Sequence, residues 1–230
     1  MLSVPMLGPK GDDLDAIRYG LFLVSLLASI FYLGRAGESW YPLMPYLKAV
    51  PVGLLAVLVL ISIPLNSPLG LLLLAALVLS TAGDVFLALE DDKKWFVPGL
   101  GSFLCAHVAY AAIFALVMTR FPMQAELWRF AVIGVAVLLA VGLFVGLKGQ
   151  MGELAGPVGV YMAVILVMVS GALLVPATTP WIAAGALLFM GSDALIAVAR
   201  FGTPFGGIHH IIWASYYVGQ FLLMVGILRG

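Results

Sequence analysis

Eight continuous apolar runs of about 20 residues constrain this chain more than any other feature. They cover residues 16–33, 45–63, 69–89, 96–118, 127–147, 156–175, 180–199 and 208–228. A helix rises about 1.5 Å per residue, so runs of this length match the roughly 30 Å hydrocarbon core of a bilayer. Strong breakers separate them: Pro64 and Pro68, the charged stretch 90–94, Pro122, 148–153, Pro176 and Pro180, and 202–207. A membrane-spanning strand needs only about ten residues and alternates in polarity, so runs this long and continuous exclude a β-barrel. Composition agrees, with 63% hydrophobic and 10% charged residues. A soluble domain is nearer half apolar and a quarter charged, so most of this chain's solvent is lipid. The expected architecture is an all-α integral membrane protein, a bundle of about eight transmembrane helices forming one domain over 1–230.

Several classes fall away at this stage. Eleven basic and eleven acidic residues cancel, which argues against a nucleic-acid partner. Cys105 is the single cysteine and cannot form an internal disulfide. Residues 1–15 place Gly8, Pro9 and three aspartates before the first apolar run, unlike the basic-then-apolar order of a cleavable signal peptide. Orientation is not set by charge. Lys10, Arg18, Arg120, Arg129 and Arg229 fall on one side, and Arg35, Lys48, Lys93, Lys94, Lys148 and Arg200 on the other.

The two halves echo one another. Ala49-Val50-Pro51-Val52-Gly53 opens the second run and Ala155-Gly156-Pro157-Val158-Gly159 the sixth. Gly83-Asp84-Val85-Phe86-Leu87-Ala88 ends the third run and Ser192-Asp193-Ala194-Leu195-Ile196-Ala197 the seventh. Chance and duplication both produce such echoes. A duplication would make 16–118 and 127–228 a parallel repeat about the membrane normal, since each unit holds an even number of spans.

Ionisable residues inside the apolar runs carry the chemical information. A charge near the bilayer centre costs at least about 2.5–3.5 kcal/mol, so one that persists is paired or functional. Asp84 and Asp193 lie a few residues from the ends of the third and seventh runs, which puts them roughly 8–10 Å inside the same membrane face. Lys48 enters the second run from that face, Tyr161 lies in the first turns of the sixth, and His209 and His210 open the eighth. Phe103, His107, Tyr110 and Phe114 form one helical stripe; His209, Trp213, Tyr216 and Gln220 form another. Such stripes suit the wall of a cavity, and Asp84, Asp193, Lys48 and His107 are expected to surround one. Structural alternatives stand beside these readings: an Asp84–Lys48 ion pair, an interhelical hydrogen bond from Asp193 through Ser192, His107 as an interhelical bridge, and interfacial positions for His209 and His210. Trp40, Tyr41, Trp95, Trp128 and Trp181 read as the interfacial belt, and 90–94 as a solvated turn.

Two carboxylates facing one cavity suit acid–base chemistry, one donating a proton while the other activates water. No His-x-x-x-His or Cys-x-x-Cys spacing is present, so neither metal nor cofactor is expected. There is no Gly-x-Ser-x-Gly elbow and no P-loop.

These motifs resemble the YhhN-like lysoplasmalogenases. The resemblance rests on Gly83-Asp84, on Gly101-Ser102-Phe103 leading to His107-x-x-Tyr110, and on Gly185 to Phe189 with Met190-Gly191-Ser192-Asp193. Tyr161-x-x-x-Ile165-x-x-Met168, Tyr216-Tyr217-x-Gly219-Gln220 and Lys48-x-x-Pro51 complete the set, in order, from about Tyr46 onward. It implies hydrolysis of the sn-1 vinyl-ether bond of a lysoplasmalogen, giving a fatty aldehyde and a glycerophospho-ethanolamine or -choline. On that reading Asp84 and Asp193 are the acid–base pair, and the partner is a lysophospholipid within the bilayer. Lys48 holds the phosphate or biases a carboxylate, while His107, Tyr110, Tyr161, Ser192, Tyr216 and Gln220 line the pocket. The membrane would be the cell membrane of a bacterium or the endoplasmic reticulum of a eukaryote. Two rival classes use the same residues: a proton-coupled transporter or flippase, which returns its substrate unchanged, and a metal-dependent lipid hydrolase, which a chelator inactivates.

Overall fold

A computed structural model describes residues 14–64, 66–177 and 180–229. The described chain is all-helical. Its helices are α1 (Asp15–Leu33), α2 (Met44–Ser62), α3 (Pro68–Phe86), α4 (Asp92–Met118), α5 (Leu127–Met151), α6 (Ala155–Leu174), α7 (Trp181–Phe201) and α8 (Ile208–Arg229). Most of the N-terminal segment that bears on a signal peptide, together with Lys10, lies outside the described residues.

Seven stretches are long and apolar enough to cross a membrane, against about eight expected. The difference is one of partition: the stretch Leu127–Leu174, 48 residues long, contains both α5 and α6. A short 3₁₀ turn, Gly152–Leu154, divides them, and Gly152 takes φ +55°, a conformation that disfavours a side chain. The chain folds back there. Arg129 near the start of α5 donates to the carbonyl of Leu173 near the end of α6, and the Phe144 ring faces Gly159. The stretch is therefore a hairpin of two membrane-length helices, and the protein is a multi-pass membrane bundle.

Two boundaries differ from the hydropathy reading for local reasons. Asp91 caps α4, its carboxylate accepting from the Lys94 amide at 3.1 Å. Asp92, Lys93 and Lys94 are exposed, as expected, but form the first turn of α4 rather than part of a loop, and an acidic first turn suits the helix dipole. Asp92 also meets Arg200, from the end of α7. At the other boundary α3 stops at Phe86 whereas α7 runs on to Phe201. Asp84 thus lies two residues from the end of its helix and Asp193 eight, because α7 extends past its apolar run.

Small residues bring α7 and α8 together. A Cβ on Gly185 would stand 2.8 Å from both the Gly219 carbonyl oxygen and the Leu223 amide nitrogen. Backbone meets backbone there, as in small-residue packing between membrane helices. This contact sets the position of Asp193 on α7 relative to Tyr216 on α8. Gly185→Ala should push the helices apart and destabilise the fold by about 1–3 kcal/mol, the usual cost of overpacking. A lowered unfolding temperature in detergent is the expected result; an unchanged one would show that the contact yields freely.

The belt residues lie at or near helix ends: Trp40 and Tyr41 between α1 and α2, and Trp95, Trp128 and Trp181 in the first turns of α4, α5 and α7. Trp40, Trp128 and Trp181 are exposed, while Tyr41 and Trp95 are half-buried. Cys105 is an exposed free thiol on α4.

Candidate active site

Six helices bring the polar residues of the sequence reading into three linked clusters. In the first, Asp84 on α3 is 1% exposed and accepts from the Tyr216 hydroxyl of α8 at 2.6 Å. Lys48 of α2 places Nζ 3.9 Å from the other carboxylate oxygen, forming an ion pair. The structural alternative for Asp84 is thus realised.

The second cluster surrounds Asp193 on α7. Its Oδ2 accepts from the Tyr161 hydroxyl of α6 at 3.0 Å and faces His107 Nε2 of α4 at 3.4 Å. His107 is fully buried, and its Nδ1 lies 2.7 Å from the Phe103 carbonyl oxygen, one turn earlier. A carbonyl only accepts, so Nδ1 carries hydrogen and assigns the tautomer. Nε2 of the neutral ring is then a lone pair without a hydrogen-bond donor, turned toward a carboxylate oxygen. Two lone pairs in such contact call for a proton between them. The His107–Asp193 pair is built to hold one.

The third cluster is a relay across α4, α8 and α3. The Tyr110 hydroxyl donates to Gln220 Oε1 at 2.6 Å, and Gln220 Nε2 donates to Ser80 Oγ at 2.8 Å. All three side chains are buried, so each hydrogen bond removes a desolvation penalty of about 1–3 kcal/mol.

Phe189 joins the carboxylate clusters. Its ring lies 5.4 Å from that of Tyr216 and 4.4 Å from that of His107. Ser192 does not reach a neighbouring helix; its hydroxyl donates to the Phe189 carbonyl within α7. His209 and His210 are exposed, so they leave the site. The remaining stripe residues Phe103, His107, Tyr110, Phe114, Trp213, Tyr216 and Gln220 are buried, packed against neighbouring helices. Sequence reasoning missed Ser80 and the role of Phe189. Both stand four residues before an aspartate, on the same helical face, and that spacing is the signal that finds them.

The cavities single out Asp193. A groove of about 670 Å³ runs between α5, α6 and α7, and Tyr161 and Asp193 are the polar residues in its otherwise apolar wall. A smaller cavity of about 50 Å³, lined by Phe96, Phe103 and Phe201 among others, meets Asp193 and Tyr161 from the α4 side. Asp84, Lys48 and His107 line neither, so the expected enclosure of one cavity by all four residues is not what this geometry displays. Among the described residues no three of His, Cys, Asp and Glu converge as metal ligands.

Residues 43–227 match the YhhN family. The chain belongs to that family. It is 34% identical to a protein of Mycobacterium bovis named Lysoplasmalogenase, over 161 residues that make up 69% of this chain and 60% of the relative. It is 31% identical over 193 residues to human Lysoplasmalogenase TMEM86B, covering 83% of this chain and 77% of that one. Human Lysoplasmalogenase TMEM86A is 30% identical over 213 residues, with 88% and 84% covered. The chain thus spans about 60% of the length of its mycobacterial relatives. No solved structure matches it. The family's matched segment contains all of the clusters described above.

Proposed function

We propose that this protein is a lysoplasmalogenase, hydrolysing the sn-1 vinyl ether of a lysoplasmalogen to a fatty aldehyde and a glycerophospho-ethanolamine or -choline. The observation that carries the reading is Asp193, a carboxyl with a proton-holding partner set in the wall of an apolar groove. The reaction needs an acid and a water molecule. Asp193 passes its proton to the alkenyl carbon remote from the ether oxygen, and the double-bond electrons form the new C–H bond. The carbon bonded to oxygen becomes an oxocarbenium ion. Water adds to it and returns a proton to the Asp193 carboxylate, and the resulting hemiacetal collapses to aldehyde and alcohol. One carboxyl serves first as acid and then as base, as in glycoside hydrolysis.

The remaining residues hold this arrangement. Tyr161 orients the carboxyl, and His107 keeps a proton available to it. Asp84, paired with Asp193 in the sequence reading, acts through Tyr216 and Phe189 rather than on the substrate, and Lys48 neutralises it. Tyr110, Gln220 and Ser192 support the wall from behind. The compartment follows the organism, the cell membrane of a bacterium or the endoplasmic reticulum of a eukaryote. We also read 16–118 and 127–228 as a parallel repeat. Exchanging the halves maps the packed pair α3–α4 onto α7–α8, and α2–α8 onto α6–α4.

Purified protein should release aldehyde from an alkenyl lysolipid and leave the matched alkyl ether intact, because the alkyl chain has no double bond to protonate. Recovery of every alkenyl lysolipid unchanged would overturn the assignment and favour the transporter reading.

A further inference from the structure

Asp193 stands about midway along the groove. On α7 the lining runs from Leu187, about 9 Å to one side of Asp193, to Val198, about 7 Å to the other, while on α5 it runs further, from Val132 to Met151, about 28 Å. The Leu187 end is lined by Ile165 and Leu166, near the middle of α6. The Val198 end reaches Met151, beside the α5–α6 turn at the membrane face. One wall is α5, whose only buried residues are Ala136, Ala140 and Met151. This helix stands at the bundle's edge, with Leu138 and Leu139 largely exposed to lipid. Two glycines widen the groove: a Cβ on Gly142 or Gly191 would meet nothing within 4 Å.

We propose that the substrate's hydrocarbon chain enters this groove sideways from the bilayer and lies along it, tail toward Leu187 and headgroup toward Val198. This deepens the lysoplasmalogenase reading and rests on it. The occupant is identified by what surrounds it: an apolar wall for the chain, and one carboxyl where the polar linkage must sit. The α7 wall alone, about 9 Å beyond Asp193, holds about seven methylenes of an extended chain, and the α5 wall carries the groove further, to Val132. Selectivity among chains should therefore rise with length past about seven methylenes and level off once the tail passes the Val132 end and enters lipid.

The test compares aldehyde release from short-chain and long-chain alkenyl lysolipids in mixed micelles. Gly191→Leu fills the groove floor beside Asp193 and should lower kcat/KM for all chains by about tenfold or more. Val132→Trp obstructs only the far end and should lower long-chain turnover by about tenfold while sparing short chains. Gly146→Leu is the control. It lies on α5 with equally open surroundings but outside the groove, and should keep wild-type rates and chain profile. A Gly191→Leu protein that stays folded by thermal unfolding and keeps wild-type kcat/KM, with Val132→Trp retaining the wild-type chain profile, would overturn the groove assignment while leaving the activity standing. Equal losses in Gly146→Leu would overturn it too. A wild type that releases no aldehyde refutes the activity itself, a separate result.

Discussion

Replacing Asp193 by Asn should lower aldehyde release by about 10²–10⁴, the usual loss when one positioned acid or base is removed. The fold should survive. Asn keeps the size of the side chain, and its amide nitrogen in the place of Oδ2 can donate one N–H to the open lone pair of His107 Nε2 and the other to the Tyr161 hydroxyl oxygen. The loss should appear in kcat, with little change in KM, because the groove that holds the chain is untouched. Steady-state kinetics together with thermal unfolding of the purified variant check this. A stable Asp193→Asn protein with near-normal rates would move the acid elsewhere, and Asp84 would be the next candidate.

The second large effect concerns stability. Lys48 and Asp84 form an ion pair in which the lysine side chain is 17% exposed and the carboxylate 1%. Removing one partner of a buried pair leaves the other charge uncompensated, at about 3–5 kcal/mol. Lys48→Met and Asp84→Asn should each fall toward the lower end of that range, because the lysine keeps some access to the membrane interface. The double variant should recover much of the loss, since it removes both charges together and leaves neither uncompensated. Unfolding of the wild type and three variants in detergent gives the coupling directly. Losses that simply add would mean that the two charges do not interact. Where Asp84→Asn remains folded, its rate should fall less than that of Asp193→Asn, because Asp84 does not line the groove.

Much of this architecture is legible in the sequence because one energy dominates it. Removing an apolar run of this length from water outweighs local preferences, so the runs locate the helices and their breakers locate the turns. What hydropathy cannot register is capping and interfacial chemistry. Asp91 starts α4 within a charged stretch, and α5 continues through Lys148 and Gln150 to Met151 because a helix end can sit in the headgroup region.

The candidate site was legible as residue types, not as partners. Asp84, Asp193, Lys48, His107, Tyr161 and Tyr216 stand out as polar groups in lipid-length segments, and all of them meet one another or Phe189. Which aspartate takes Lys48 and which takes His107 depends on how each helix is rotated about its axis, and a single sequence does not carry that. The groove was invisible for a related reason. It arises where α5 stands away from α6 and α7 beside Gly142 and Gly191, and runs of Val, Leu and Gly look the same whether they face a neighbour, lipid or a bound chain.

The bond that breaks gives the most direct test of the account. Hydrolysis of an alkenyl lysolipid in heavy-oxygen water, followed by mass analysis of the glycerophospho product, shows which carbon receives the water. Protonation of the alkenyl carbon followed by water addition at the oxocarbenium predicts a glycerophospho product without heavy oxygen, formed together with aldehyde. Heavy oxygen in the glycerol portion would mean that the bond on the glycerol side is cut, contradicting the role given to Asp193.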